Sequence, residues 1–156
     1  MDHLLARGLR CLSVIDVSAA ALARAKTRLG SAASAVTWIE ADVTSDWSAG
    51  VVDVWHDRAA FHFLIEPAER ARYVERAREH VKPGGHLVLA TFALDGPQKC
   101  SGLPIVRYSP ASLAAAVTSA FVLVDARSES HTTPSGAVQQ FQYAVFRHLD
   151  QHHQKG

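Results

Sequence analysis

Apolar residues fall along this chain in two patterns: runs short enough for buried strands, and longer stretches spaced at three and four positions. Residues 10–16, RCLSVID, alternate and are rich in Leu, Val and Ile, which predicts a strand ending in a carboxylate. Ahead of it, Leu4 and Leu5 followed by Gly8 have the pattern of the last turns of a helix. Ser18 suits the N-cap of a helix over 19–29, where Leu22, Ala25 and Leu29 share a face and Gly30 is the stop. Residues 36–40 predict a second short strand, followed by Ala41, Asp42 and Val43 and a polar loop with Asp46 and Trp47.

The chain is organised around residues 51–64, VVDVWHDRAAFHFL. Val51, Val52, Val54 and Trp55 form the kind of run that a strand buried on both faces needs, with Asp53 as its interruption. His56, Asp57 and Arg58 close the run with groups that carry protons or bind metals or anions. Phe61, His62, Phe63 and Leu64 then lead into Glu66 and Pro67, and Pro67 suits the first turn of a helix reaching about residue 80. Lys82, Pro83, Gly84 and Gly85 predict a turn, and 86–92 a buried strand. After a loop over 95–104, Ser109 and Pro110 cap a helix to about residue 119, and 121–126 form a strand. Beyond a loop over 127–136, residues 139–146 alternate Phe141, Tyr143 and Val145 against Gln140, Gln142 and Ala144. With no helix between the last two strands, a hairpin is expected. This order predicts an α/β fold: a mostly parallel sheet with an antiparallel last strand. No repeat or linker interrupts it, so a single domain is expected over 1–148, with a polar tail over 149–156.

Composition narrows the function. A formal charge of +1 over 156 residues offers no basic field for nucleic acid or an anionic membrane. The most apolar long stretch, 111–124, carries Ser112, Thr118 and Ser119 and divides better into a helix and a strand than into a membrane span. Two cysteines, Cys11 and Cys100, make no disulfide framework, and reduced thiols in a cytoplasmic protein are expected. Nine histidines is a high count, two of them, His152 and His153, in the tail.

In open α/β sheets ligands bind beyond the carboxyl ends of the strands. That rule gathers Asp16, Asp42, His56, Asp57, Asp95, Cys100 and His131 toward one rim, with His3, and leaves His80 and His86 at the other. His56, Asp57 and Arg58 are the candidate catalytic residues. His3, His56, Asp57, His62 and His131 are candidate ligands for zinc or a similar divalent ion, although their spacing matches no strong metal motif. Each has a plainer reading. Asp57 and Arg58 can cap and pair at a strand end, His62 can pack among its aromatic neighbours, and His131 can be an ordinary loop residue. Cys100 has no identifiable histidine partner and reads as a plain thiol.

Four segments, CLSVIDVS, VTWIEADV, VVDVWHDRAAFHFL and VKPGGHLVLATF, resemble class I S-adenosylmethionine-dependent methyltransferases in order and spacing, and the likeness covers nearly the whole chain. It implies a Rossmann-like sheet, with S-adenosylmethionine as cofactor. By the resemblance, Asp16 ends the second family strand and takes the two ribose hydroxyls. Asp42 follows the third strand and takes the adenine amino group, with Val43 beside the ring. His56 and Asp57 end the fourth strand, beside methyl donor and acceptor. The family opens with a strand and a glycine-rich loop, and neither is found in these residues. A truncated sheet lacking the first family strand is therefore expected, with weak or no cofactor binding.

Two enzymatic readings follow. One is a methyltransferase-like protein acting on a small molecule, with doubtful competence for methyl transfer. The alternative is a metal-dependent hydrolase of esters or phosphoesters, using the His and Asp cluster to activate water. A third reading is an inactive domain acting through its surface. A missing strand leaves two strand edges open, which favours a symmetric homodimer.

Overall fold

The structure, a computed structural model, describes residues 1–149. Residues 150–156, with His152 and His153 of the expected tail, lie outside the described residues. The chain divides into two compact units, Met1–Gly50 and Val51–Gly156.

The first unit opens with helix α1 (Asp2–Ala6), ended at Arg7 and followed by Gly8 at φ 84°, a conformation glycine adopts without strain. Strand β1 (Leu12–Asp16) then pairs in parallel with β2 (Val36–Glu40), Asp16 opposite Glu40. The crossover is helix α2 (Ala19–Leu29) with a following 3-10 turn, Gly30–Ala35. Ser18 caps α2 by accepting from Ala21 N at 3.2 Å. Leu22 and Val36 are the buried apolar side chains of this small unit.

The second unit holds the larger core. Strand β3 (Val52–Arg58) pairs in parallel with β4 (Val81–Phe92), the crossover being helix α3 (Pro67–His80). A reciprocal cap between Glu66 and Glu69, with Pro67 in the first turn, starts α3. A short hairpin, β5 (Lys99–Cys100) with β6 (Leu103–Pro104), follows β4. Helix α4 (Pro110–Val117), capped by Ser109, leads to the long hairpin of β7 (Phe121–Thr132) and β8 (Val138–His148). The sheet order is β3-β4-β8-β7, and β8 alone runs against its neighbours. Tyr73, Val74 and Ala77 of α3 and Leu113 and Val117 of α4 are buried with Leu87, Leu89, Ala144 and Phe146 of the sheet. No helix among the described residues is long and apolar enough to cross a membrane.

β3 runs through Arg58, its ladder to β4 extending to the Arg58–Ala90 pair, which puts His56, Asp57 and Arg58 at the strand end as expected. Two other boundaries differ from expectation. The expected turn at 82–85 lies inside β4 as a bulge: Val52 pairs with Val81 and Val54 with His86, so the residues between loop out. Gly85 is required there, since a Cβ would come within 2.8 Å of Asp53 O. β7 runs six residues past the expected end at Ala126, to Thr132, as an edge strand exposed over most of its length. β1 and β2 form a two-stranded sheet of their own, and β3 is an edge of the four-stranded sheet.

Candidate functional site

The acids of the first unit stand where a strand or its following turn ends. Asp16, half-buried at the end of β1, accepts from Ser18 N at 2.8 Å through Oδ1. Among the described residues, Oδ2 has no protein partner. Asp42 is exposed and accepts from Thr44 N at 2.7 Å and Thr44 Oγ1 at 2.8 Å, which fixes its carboxylate over the turn. Val43 is half-buried, and its carbonyl accepts from Trp47 Nε1 at 3.1 Å. His3 is exposed on α1.

In the second unit, consecutive strand residues point to opposite faces. His56 and Arg58 therefore share one face, and Asp57 takes the other. Asp57 is buried, and its two oxygens bind the turn that follows β3: Oδ1 accepts from Ala60 N at 2.8 Å, Oδ2 from Phe61 N at 3.1 Å and from Tyr73 Oη at 2.6 Å. Burial raises the Asp57 pKa above the usual carboxylate value even against those three donors. Burial, reinforced by the Asp57 charge, pushes Tyr73 well above its ordinary value. This pair fixes the turn, in which Ala59 is held in the left-handed region at φ 67°. His56 is exposed at the residue level, yet partial desolvation of its ring lowers its pKa, opposed by Asp57, so it is neutral near pH 7.

His62 lies in the 3-10 turn Phe61–Phe63, fully buried, its ring 4.7 Å from that of Phe63 and 4.9 Å from that of Phe92. Burial pushes its pKa down to about 4. His131, expected in a loop, lies in β7 with its ring 6.2 Å from Phe141 and edge-on to it. Cys100 packs partly buried against Ala90, Phe92 and Phe141. No three His, Cys, Asp or Glu side chains among the described residues gather as a metal site. His3, His56, Asp57, His62 and His131 are thus not brought together as a ligand set. Asp57 is committed to its turn and His62 is enclosed by rings.

Arg58 instead meets aromatic side chains of β8. Its Nε donates to Tyr143 Oη at 3.1 Å, and its guanidinium carbon lies 4.6 Å from the centre of the Phe141 ring. The alternation of Phe141 and Tyr143 predicted a strand and nothing more. Their position beside Arg58 follows from a β4–β8 register (Ala90–Tyr143, Phe92–Phe141) that the sequence pattern does not specify.

The family is established by comparison. A sequence model described as a methyltransferase domain matches residues 1–87 of the 156, over half of the chain. No curated protein matches the chain in sequence. Among solved structures, the N-methyltransferase NodS from Bradyrhizobium japonicum WM9 is similar at a TM-score of 0.70 and 19% identity, over 89% of this chain and 74% of that one. The 1,6-didemethyltoxoflavin-N1-methyltransferase of Burkholderia thailandensis, solved with S-adenosylhomocysteine, is similar at 0.71 and 19% identity, over 96% of this chain and 65% of that one. The glycopeptide N-methyltransferase MtfA, solved with S-adenosylmethionine, is similar at 0.66 and 15% identity, over 94% and 75%. The order of the four sequence segments and the matched family together identify this chain as a member of the class I S-adenosylmethionine-dependent methyltransferases.

Proposed function

We propose that the chain takes part in methyl transfer from S-adenosylmethionine to a small molecule, with Asp16, Asp42 and Val43 as the contacts to the adenosine. The observation that carries this is Asp16: one oxygen is fixed by Ser18 N, and the other has no protein partner among the described residues. A half-buried carboxylate with an acceptor oxygen to spare fits a ribose hydroxyl. Asp42, steadied by Thr44, is the acceptor for the adenine amino group, and Val43 the apolar neighbour of the ring. When bound, the cofactor supplies an electrophilic methyl group on a sulfonium. His56, neutral and on the same face as Arg58, is suited to accept the proton that a nitrogen or oxygen acceptor loses.

These 156 residues carry no glycine-rich loop, so cofactor contacts rest on side chains and binding by this chain is weak. Calorimetric titration with S-adenosylhomocysteine is the test. Weak, saturable binding that Asp16→Ala removes is expected. Tight binding indifferent to Asp16, or none at all, contradicts the reading. The metal-dependent hydrolase has no observation in its favour. Asp57 spends both oxygens on Tyr73 and the turn, and the candidate ligands do not fit a zinc ion.

A further inference from the structure

We propose that Arg58, seated against Phe141 and Tyr143, is the anion-binding group of an acceptor subsite that selects flat apolar acceptors carrying a carboxylate. This rests on the reading of the chain as one that takes part in methyl transfer to a small molecule. Arg58 is the last residue of β3, at the strand end where α/β sheets meet their ligands. In register with it on one face lie Ala90 of β4, Tyr143 of β8 and Arg127 of β7, and beside them Phe92 and Phe141. Ala90, Phe92 and Phe141 form a buried apolar floor, against which Ala59, Cys100, Ile105 and Tyr143 pack partly buried. The three are themselves covered, so the apolar surface left for a flat body is that of the partly buried Ala59, Cys100, Ile105 and Tyr143.

The charge of Arg58 is uncommitted. Arg28, Arg76, Arg78, Arg127 and Lys82 each have a carboxylate within 4.0 Å, whereas Arg58 has none among the described residues. Its contacts with the protein use the face of the guanidinium and one N–H, at Nε. The four N–H groups on the two terminal nitrogens have no protein acceptor among the described residues, and a carboxylate matches that fork in bidentate geometry. Tyr143 accepts from Arg58, so its own hydroxyl proton is left to donate, again without a protein acceptor among the described residues. A second guanidinium, that of Arg127, lies 5.6 Å from the Tyr143 ring, with Glu129 at 4.0 Å as its counter-charge. The patch therefore carries two cations to one anion.

The group is also held in place before any ligand arrives. Stacking on Phe141 and the bond to Tyr143 restrict the long side chain, which lowers the ordering cost of binding. The backbone just beyond it is locked by Asp57, through Ala60 N and Phe61 N, and by the Ala59 N bond to Ala90 O at 2.8 Å. A left-handed alanine in that turn is a strained conformation that the surrounding bonds maintain.

The test titrates the full chain with benzoate, with benzamide as the uncharged body and acetate as the charge without the body, followed by amide chemical shifts. Saturable benzoate binding is expected, with shifts at Arg58, Ala90, Phe141 and Tyr143, and weaker binding of both controls. Arg58→Met, which keeps an apolar stem and loses the fork, is expected to weaken benzoate at least tenfold, and Arg58→Lys by an intermediate factor. Unchanged melting and unchanged S-adenosylhomocysteine binding in Arg58→Met would show that folding and the cofactor contacts are intact. Benzoate binding equal in wild type and Arg58→Met, benzamide binding as well as benzoate, or no benzoate binding by the folded chain overturns the proposal. If S-adenosylhomocysteine fails to bind while benzoate binds through Arg58, the subsite stands and the methyl-transfer reading falls. The converse result removes the subsite alone.

Discussion

Burial of His62 ties the stability of this protein to pH in a direction that can be worked out in advance. The ring is fully buried, and Nδ1 accepts from Phe92 N at 3.4 Å, which assigns the single proton of the neutral ring to Nε2. Its pKa falls from the ordinary 6.5 to about 4. Below pH 6.5 the unfolded chain takes up a proton at His62 that the folded chain refuses until about pH 4. Stability present at neutral pH is therefore lost as the pH falls through that window. At about 1.4 kcal/mol for each tenfold in the proton equilibrium, the loss is about 3 kcal/mol. His62→Asn keeps an acceptor for Phe92 N and removes the titration. The assay is urea unfolding of both proteins between pH 7 and pH 4, read as the difference in unfolding free energy, so that effects of other groups, Asp57 among them, cancel. The wild type is expected to lose about 3 kcal/mol relative to His62→Asn over this range. A difference that is flat with pH, or that favours the wild type at pH 4, refutes the reasoning.

Other consequences are checked as directly. Tyr73→Phe removes a buried 2.6 Å hydrogen bond to Asp57 and is expected to cost about 2 kcal/mol, a fall of roughly 4–8 °C in melting temperature; an unchanged melt contradicts the role of the pair. The ring protons of His56 are expected to titrate below 6.5 by NMR, with the midpoint raised in Arg58→Met and lowered further in Asp57→Asn, because those charges act in opposite senses; the reverse order contradicts the assignment. We also propose a symmetric homodimer formed along an open sheet edge, β3 and β7 being the outer strands of the four-stranded sheet. Light scattering at high concentration is expected to give twice the chain mass, and a strict monomer counts against it.

Much of the fold was legible because local signals and burial agree. Ser18 and Gly30 bound α2 where the capping pattern predicts, and 36–40 and 67–80 match β2 and α3. The sequence pattern predicts β7 six residues too short because residues 127–132 are mostly exposed, and a strand without a buried face leaves no alternation to find. The bulge at 82–85 carries strong turn residues, yet the backbone on either side stays in one ladder. Of the site, Asp16 and Arg58 were visible as charged residues closing apolar runs. The opposite facings of His56 and Asp57 follow only once the strand is known to continue through Arg58. The Asp57–Tyr73 bond and the Arg58–Tyr143 bond span 16 and 85 residues of sequence, and pairings of that reach have no local signature.

The central claim is that Asp16 and Asp42 hold the adenosine of the methyl donor. It is tested most directly by amide chemical shifts of the full chain during titration with S-adenosylhomocysteine. The account predicts saturable shifts at Asp16 and Ser18 and at Asp42, Val43 and Thr44, with the shifts lost in Asp16→Ala. Millimolar ligand that leaves those amides unmoved in the folded protein would contradict it.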